Sequence, residues 1–247
     1  NASPTRSGVD RWTGRADVAR ALLFDIDGTL VDTLGAGRAA LTRAMIQVYG
    51  ATGPIEEFDF HGRTDPSIVR DLLRARGRTD PWIEARFPTL WPAYYDFLDG
   101  ELADRDGEVS VFAGVQSLLD RLIVDERFVL GLVTGNMEEG AWRKLRAAGI
   151  STMFEFGAFG SDSERRADLP PLAVSRASER FGERFRVVEA VVIGDTPEDI
   201  KCARASRARV LAVATGRHEP AELRSHRPDA VVEDLSDTDE ILRILAE

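Results

Sequence analysis

The sequence predicts an α/β fold built on a parallel sheet and carrying an inserted helical domain. Several short apolar runs lack the polar alternation of a strand with one face in water, which is typical of strands buried on both faces. Segments with helical periodicity separate these runs. Because strands that alternate with helices indicate a parallel sheet covered on both sides, the pattern favours an α/β core. Only residues 34–108 break the alternation.

Six runs are predicted to form the strands of the sheet, and the run at 153–160 is weaker than the other five. In chain order they are ALLFDID (21–27), FVLGLVTG (128–135), MFEFGAFG (153–160), AVVIGD (190–195), ARVLAVATG (208–216) and AVVEDL (230–235). Helical patterns lie between or after them, at 115–123, 137–150, 169–182, 197–206 and 237–247. Pro197 in a first turn, and Gly149 and Gly182 at helix ends, are the expected boundary residues.

The stretch from 34 to 108 is too long for a simple connection in a compact core, and its patterns are helical. We therefore predict a core formed by residues 20–33 and 109–247, with residues 34–108 inserted as a helical domain. The aromatic segment FPTLWPAYYDF within it is expected to pack the core of the insertion itself. Residues 1–19 show no apolar period and are predicted to be a disordered tail or a remnant added for expression.

Composition excludes several classes of function. The net charge of −10 argues against a nucleic-acid partner, since that affinity depends on clustered Lys and Arg. No apolar run reaches the ~18 residues of a membrane span, so no membrane partner is expected. A single cysteine, Cys202, rules out an internal disulfide and is expected to be buried filler; together with the absence of a signal-peptide pattern it predicts a cytoplasmic protein.

Carboxylates follow two of the predicted strands. Asp25 and Asp27 end the first run, and Asp195 ends the run at 190–195, so all three should meet at the carboxyl edge of the sheet. Such a cluster of negative charges needs a cation, and oxygen ligands without paired His or Cys favour Mg²⁺. A phosphate ester would complete the shell. One carboxylate of the Asp25/Asp27 pair could then attack as a nucleophile while the other serves as general acid and base.

Other residues at this edge are candidates for holding phosphate. Thr134 and the backbone amides of Gly135 and Asn136 lie at the end of the second run, where a turn of N–H groups can bind an anion. A cation is also expected there. The only two lysines are expected to lie away from this edge, because Lys144 is too far into its helix and Lys201 too far past Asp199. That leaves Arg165 and Arg166.

In the insertion, the segment HGRTDPSI at 61–68 is a candidate for substrate contact. Arg63 could meet a second anionic group, or it could simply be exposed. Asp65 could be the N-cap of the helix that follows.

At this point the sequence resembles the haloacid dehalogenase superfamily from about residue 20 to the end. The motifs that carry the resemblance are DIDGTLVD (25–32), VTGN (133–136), a basic residue before LPPLA, and GDTPEDI (194–200). The resemblance implies a Rossmann-like core, Mg²⁺ and an aspartyl-phosphate intermediate. The insertion resembles the helical cap of the phosphoglycolate phosphatase and β-phosphoglucomutase branch.

Carried over by position, the resemblance implies that Asp25 is the nucleophile and Asp27 the acid/base, whose backbone carbonyl also reaches the metal. It further implies that Asp195 is a metal ligand with Asp199 in support, and that Thr134 and Asn136 bind phosphate. The usual basic residue is a lysine followed by proline, whereas this chain reads ERRADLPP; counting back from LPP favours Arg166 over Arg165.

The function expected from these residues is a Mg²⁺-dependent phosphatase acting on a small phosphorylated metabolite, as a monomer or homodimer. A phosphomutase of the β-phosphoglucomutase type would use the same residues. A 2-haloacid dehalogenase is disfavoured because those enzymes generally lack an acidic residue two positions after the nucleophile. This chain has Asp27 at that position. A silent phosphate-binding protein is the remaining alternative.

Overall fold

The computed structural model describes residues 19–247, and the predicted tail lies almost entirely outside this range. The described residues contain eight strands: β1 (Arg20–Phe24), β2 (Val31–Asp32), β3 (Ser110–Val111), β4 (Phe128–Val133), β5 (Phe156–Ala158), β6 (Val191–Gly194), β7 (Arg209–Val213) and β8 (Ala230–Val232). The main sheet has the order β5-β4-β1-β6-β7-β8, and every neighbouring pair in it is parallel. The predicted fold class is therefore confirmed.

The α-helices of the described residues are α1 (Ala36–Tyr49), α2 (Asp65–Arg74), α3 (Asp80–Glu84), α4 (Phe87–Ala103), α5 (Val115–Leu122), α6 (Glu138–Ala147), α7 (Leu169–Phe181), α8 (Pro197–Ser206), α9 (Pro220–Ser225) and α10 (Thr238–Ala246). Pro197 opens α8, and Gly182 ends α7 with a left-handed φ of 68°. The sequence patterns missed α9, which is only six residues long. None of the described helices combines the length and the apolar character that crossing a membrane would need.

Burial on both faces of the sheet explains the unbroken apolar runs. Successive side chains of a strand point to opposite faces. In β1, Leu22 and Phe24 join one apolar cluster, whereas Ala21 and Leu23 join another on the opposite face. Helices cover both clusters, so a polar side chain at any of these positions would lose its contact with water. After the half-buried Arg20 at its start, β1 consequently carries only apolar residues up to its end at Phe24, and Asp25 follows directly.

The stretch from 34 to 108 has its own apolar cluster. Helices α1 to α4 supply its buried members apart from Ile55, among them Leu41, Leu72 and Leu98. The aromatic segment in α4 contributes Leu90 and Tyr94 to this cluster, as predicted. At its base, β2 and β3 form a short antiparallel pair that the sequence did not predict, since two residues are too few to show a pattern.

Candidate active site

Three buried carboxylates meet at the carboxyl edge of the sheet. Asp25 follows β1, Asp195 follows the neighbouring strand β6, and Asp199 lies in the first turn of α8. One carboxylate oxygen from each lies within 4.8 Å of the others. The meeting of Asp25 and Asp195 confirms the expected geometry, because adjacent parallel strands end at the same edge.

Arg166 lies between two of these carboxylates. Its Nη2 is 3.1 Å from Oδ1 of Asp25, and it also donates to Oδ1 of Asp199. The side chain is almost fully buried, at 8% exposure. Burial lowers the pKa of Arg166, but the nearby charges of Asp199 and Asp25 outweigh this and hold that pKa well above its usual value. Arg166 is therefore a permanent cation inside the site.

Arg165 lies outside the site. Its side chain is 80% exposed, and its nearest partner is Asp168 at 3.6 Å. Of the two arginines that the sequence left open, only Arg166 touches the carboxylates. The phosphate-binding role expected for Arg165 has no support in this geometry, because the short turn Arg166–Asp168 that starts α7 directs the two neighbouring side chains apart.

The electrostatics of the cluster follow from burial. Loss of solvation raises the pKa of Asp25 to about 6, with Arg166 opposing the rise and Asp199 and Asp27 adding to it. Burial also raises the pKa of Asp195 well above its usual value, and the charges of Asp199 and Asp25 add to this rise. The carboxylates are therefore under-neutralised by Arg166 alone.

The donor set fits a hard divalent cation. Oδ1 of Asp195 accepts a hydrogen bond from the Thr29 hydroxyl at 2.9 Å, but Oδ2 is buried without a hydrogen-bond partner among the described residues. Gly28 and Gly216 approach this oxygen so closely that a Cβ at either position would collide with it. A buried orphan oxygen beside Asp25 is the arrangement that a Mg²⁺ ion would complete. Asp199 is less available, since the backbone amide and the hydroxyl of Thr196 occupy its Oδ2.

Asp27 has different partners from those of Asp25. Both of its carboxylate oxygens accept from Lys144 Nζ, at 2.8 and 2.6 Å, and Oδ2 also accepts from Nδ2 of Asn136 at 2.7 Å. Its side chain remains 43% exposed to the cavity. Its carboxylate is not part of the three-carboxylate cluster, which leaves only its backbone carbonyl for the metal role expected of Asp27.

The expectation that Lys144 lies too far along its helix was wrong. Lys144 is on the second turn of α6, about 9 Å from the start of the helix. Helical side chains tilt toward the N-terminus, and a lysine is long enough to span most of that distance. The sequence held one usable signal: Lys144 shares a buried face with Gly140 and Ala141, where a lysine is unusual.

Thr134 and Asn136 lie at the end of β4, as predicted. The hydroxyl oxygen of Thr134 accepts from Nδ2 of Asn136 at 2.8 Å, so its proton is oriented to donate elsewhere. Gly135 has a packing role instead. Its carbonyl accepts from the amide of Asp65 at 2.8 Å, and a Cβ there would strike the carbonyl of Arg63. Gly135 does not line the cavity.

A cavity of about 600 Å³ opens above these residues and is closed on the far side by the insertion. Arg63 lines it, but its Nη1 pairs with Asp71 at 2.8 Å and its guanidinium stacks on Phe58. The guanidinium of Arg63 is therefore already held by two residues of the insertion. The N-cap of α2 is Thr64 rather than Asp65, because Oγ1 of Thr64 accepts from the Ser67 amide.

Asp65 instead reaches across to the core. Its Oδ2 accepts from the backbone amide of Met137, the residue just before α6, at 2.8 Å. Burial raises the pKa of Asp65 to about 6, although Lys144 and the Met137 amide both oppose the rise. A residue of the insertion thus caps a helix of the core, which sequence reasoning could not find because the contact spans 72 positions.

The chain is similar to known hydrolases in sequence and in fold. The haloacid dehalogenase-like hydrolase family matches residues 22–213. The chain is 26% identical to the pyrophosphatase PpaX of Listeria welshimeri, over 90% of this chain and 95% of that protein. It is 30% identical to a phosphoglycolate phosphatase of Cereibacter sphaeroides, over 83% of this chain and 90% of that protein. A hydrolase from Pseudomonas syringae has the same fold, with a TM-score of 0.67 at 20% identity, covering 92% of this chain and all of that one.

Proposed function

The chain belongs to the haloacid dehalogenase-like hydrolase family, and from this premise we propose that it is a Mg²⁺-dependent phosphatase of small phosphorylated metabolites. The observation that carries the proposal is the buried pair of Asp25 and Asp195. Arg166 offsets only part of the repulsion between these two carboxylates. Such a site is suited to a divalent ion and a phosphate group together. Relatives named pyrophosphatase and phosphoglycolate phosphatase add support.

In the first half of the reaction, a carboxylate oxygen of Asp25 attacks phosphorus and the bond from phosphorus to the leaving oxygen breaks. Asp27 gives its proton to that oxygen. Arg166 lies 3.1 Å from Asp25 and can follow the charge from the carboxylate to the equatorial phosphate oxygens. Thr134 lines the same cavity, and its hydroxyl would be a second donor to these oxygens.

In the second half, Asp27 takes a proton from water, and the water oxygen attacks the phosphorus of the aspartyl phosphate. The bond to Asp25 breaks, which releases inorganic phosphate and restores both carboxyl groups. When bound beside Asp25, Asp195 and the Asp27 carbonyl, Mg²⁺ would supply charge neutralisation at the phosphate. Asp199 keeps Arg166 and the start of α8 in place for both steps.

We further propose that residues 34–108 act as a cap over a core of residues 20–33 and 109–247. The cavity lies between the two, and the cap residues Arg38, His61 and Arg63 line it. A closed cap would exclude bulk water and select the substrate. Arg63 would meet a second anionic group only if that group displaced Asp71 from it.

The test is Mg²⁺-dependent release of phosphate from pyrophosphate, 2-phosphoglycolate, hexose 1-phosphates and p-nitrophenyl phosphate. Asp25→Asn removes the nucleophile, so we expect phosphate release to fall by about 10³-fold or more, and EDTA to abolish it in the wild type. Asp106→Asn, at an exposed position in the insertion, is the matched control and should retain wild-type rates.

Equal rates for the wild type and Asp25→Asn would remove Asp25 from the reaction. Product analysis on hexose 1-phosphates also decides the alternative, since a phosphomutase would give the isomeric sugar phosphate rather than free phosphate.

A further inference from the structure

Lys144 has a position that the proposed reaction does not require. It is one of only two lysines in the chain, its side chain is 5% exposed, and it contacts both oxygens of Asp27. The cation that compensates the nucleophile is already present as Arg166. A second buried cation therefore serves another part of the site.

We propose that Lys144 is a positioning residue that holds the carboxylate of Asp27 in its working orientation. This inference rests on the proposed function, in which Asp27 transfers the proton. Three groups form a closed triangle: Lys144 Nζ donates to Asp27 and to Oδ1 of Asn136 at 2.6 Å, and Nδ2 of Asn136 donates to Oδ2 of Asp27 at 2.7 Å. The charge of Lys144 fixes which way round the Asn136 amide lies.

Residues of the insertion pack closely around Lys144 and leave it little space outside this triangle. A Cβ on Gly37 of α1 would lie only 3.0 Å from Nζ and 3.2 Å from Cε of Lys144, so only glycine leaves the ammonium group its present place. Tyr94 of α4 packs beside both Gly37 and Gly140 of α6. Helices of both domains thus enclose the side chain, and the lysine has little freedom to turn away from Asp27.

A purely structural role does not explain this arrangement. A buried lysine costs solvation free energy, and a buried ion pair seldom stabilises a fold more than apolar residues of the same volume would. Asp27 is also half-exposed to the cavity, so it could be solvated without a partner. What the lysine adds is a fixed direction for a carboxylate that otherwise rotates about two bonds. Misplacement of a reacting group by about 1 Å can lower a rate by about 10²-fold.

The experiment compares the wild type with Lys144→Met, which keeps the length and removes the charge, on p-nitrophenyl phosphate with saturating Mg²⁺. We expect kcat to fall by about 10²-fold while KM changes by less than about threefold. The same substitution is then made in an Asp27→Asn background. If Lys144 acts through Asp27, the double variant has the kcat of Asp27→Asn alone.

If Lys144→Met lowers kcat by the same factor in both backgrounds, or raises KM with kcat unchanged, Lys144 does not act by positioning Asp27.

A second pair of variants keeps the proposal open to test if Lys144→Met does not fold. Gly37→Ala adds the one methyl group that must displace Nζ, and we expect it to lower kcat about three- to tenfold. Gly100→Ala is the matched control, because this glycine lies in α4 of the same domain with nothing within 4 Å of the added Cβ. Equal kcat values for the two variants would overturn the proposal.

Failure of the proposed function is separable from failure of this inference. A wild type that releases no phosphate from any substrate contradicts the phosphatase assignment. The positioning role is then judged from crystal structures of the wild type and Lys144→Met. We expect the Asp27 carboxylate in the variant to move beyond about 3.5 Å from Nδ2 of Asn136, the limit of a hydrogen bond. An unmoved carboxylate would overturn the inference.

Discussion

At the scale of single residues, the active-site edge is organised by two cations with separate partners. Arg166 neutralises Asp25 and Asp199, and Lys144 binds Asp27. Each cation is buried, so removing either leaves a carboxylate without its partner. Asp25 and Asp27 are only two positions apart in the sequence, yet each carboxylate pairs with a different cation. This separation matches the different work proposed for the nucleophile and for the proton donor.

Removing the charge of Arg166 should destabilise the fold. In Arg166→Met, two carboxylates stay buried without compensation, and we expect the free energy of unfolding to fall by about 3 to 5 kcal/mol in the absence of Mg²⁺. Arg166→Lys keeps the charge and removes the buried Nε, which has no partner among the described residues. We therefore expect a smaller decrease in the free energy of unfolding for Arg166→Lys than for Arg166→Met. Urea unfolding followed by circular dichroism measures both.

The exposed neighbour provides the control for this prediction. Arg165→Met should change the free energy of unfolding by less than about 0.5 kcal/mol, as surface substitutions usually do. A loss at Arg165 equal to the loss at Arg166 would contradict the placement of these two side chains.

At the scale of elements, the start of α6 depends on the insertion. Met137, the N-cap residue of α6, has no side chain that can cap the helix, and Asp65 of α2 accepts from its backbone amide instead. In the reverse direction, the amide of Asp65 donates to the carbonyl of Gly135. These paired contacts join the helices of residues 34–108 to the end of β4 and the start of α6, beside the residues that line the cavity. The helix that carries Lys144 is thereby anchored where the insertion touches the core.

The buried carboxyl of Asp65 predicts a pH dependence of stability. Its pKa is about 6 in the folded chain and about 4 when unfolded. Between these values the folded state holds a proton that the unfolded state has lost, so Asp65 makes the protein less stable as pH rises through this window. Asp65→Asn can still accept from Met137. We expect it to match the wild type near pH 4 and to be more stable by about 1 to 2 kcal/mol above pH 7.

Thermal unfolding of both proteins across pH 4 to 8 measures this difference. Asp106→Asn, at an exposed position, is the control measured in parallel. A difference between Asp65→Asn and the wild type that stays constant with pH would show that Asp65 keeps an ordinary pKa.

At the scale of the whole molecule, ion pairs cross the boundary between insertion and core. Arg217 pairs with Asp59, Arg143 with Asp99 and Arg70 with Glu164. All three lie at the surface, where one such pair contributes about 0.2 to 1 kcal/mol. Together with the apolar contacts of Tyr94 they hold the insertion over the cavity. Each of these ion pairs across the boundary is therefore individually weak.

Loss of one of these pairs should loosen the insertion measurably. In Arg217→Gln, we expect the amide of Asp65, which donates to Gly135 across the boundary, to exchange with deuterium about 2- to 5-fold faster. Arg121→Gln is the control, since its pair with Asp239 joins two helices of the core. If both variants exchange this amide at the same rate, the Arg217 pair does not hold the insertion in place.

Sequence patterns were sufficient to predict the parallel sheet, the run of helices at 34–108, and the approach of Asp25 to Asp195. These features follow from local rules: unbroken apolar runs mark strands buried on both faces, and parallel strands end at one edge. The motifs were also sufficient for the family, which the match over residues 22–213 confirms. Functional roles of the individual residues stay predictions.

Which cation faces which carboxylate depends on contacts between elements that are distant in the chain. Whether Arg165 or Arg166 enters the site depends on one turn before α7, and whether Lys144 reaches Asp27 depends on how α6 is rotated against the insertion. The cap of α6 by Asp65 was hidden for the same reason. Apolar period reports which face of an element is buried, but it carries no information on what that face meets when the partner lies 72 or 117 positions away.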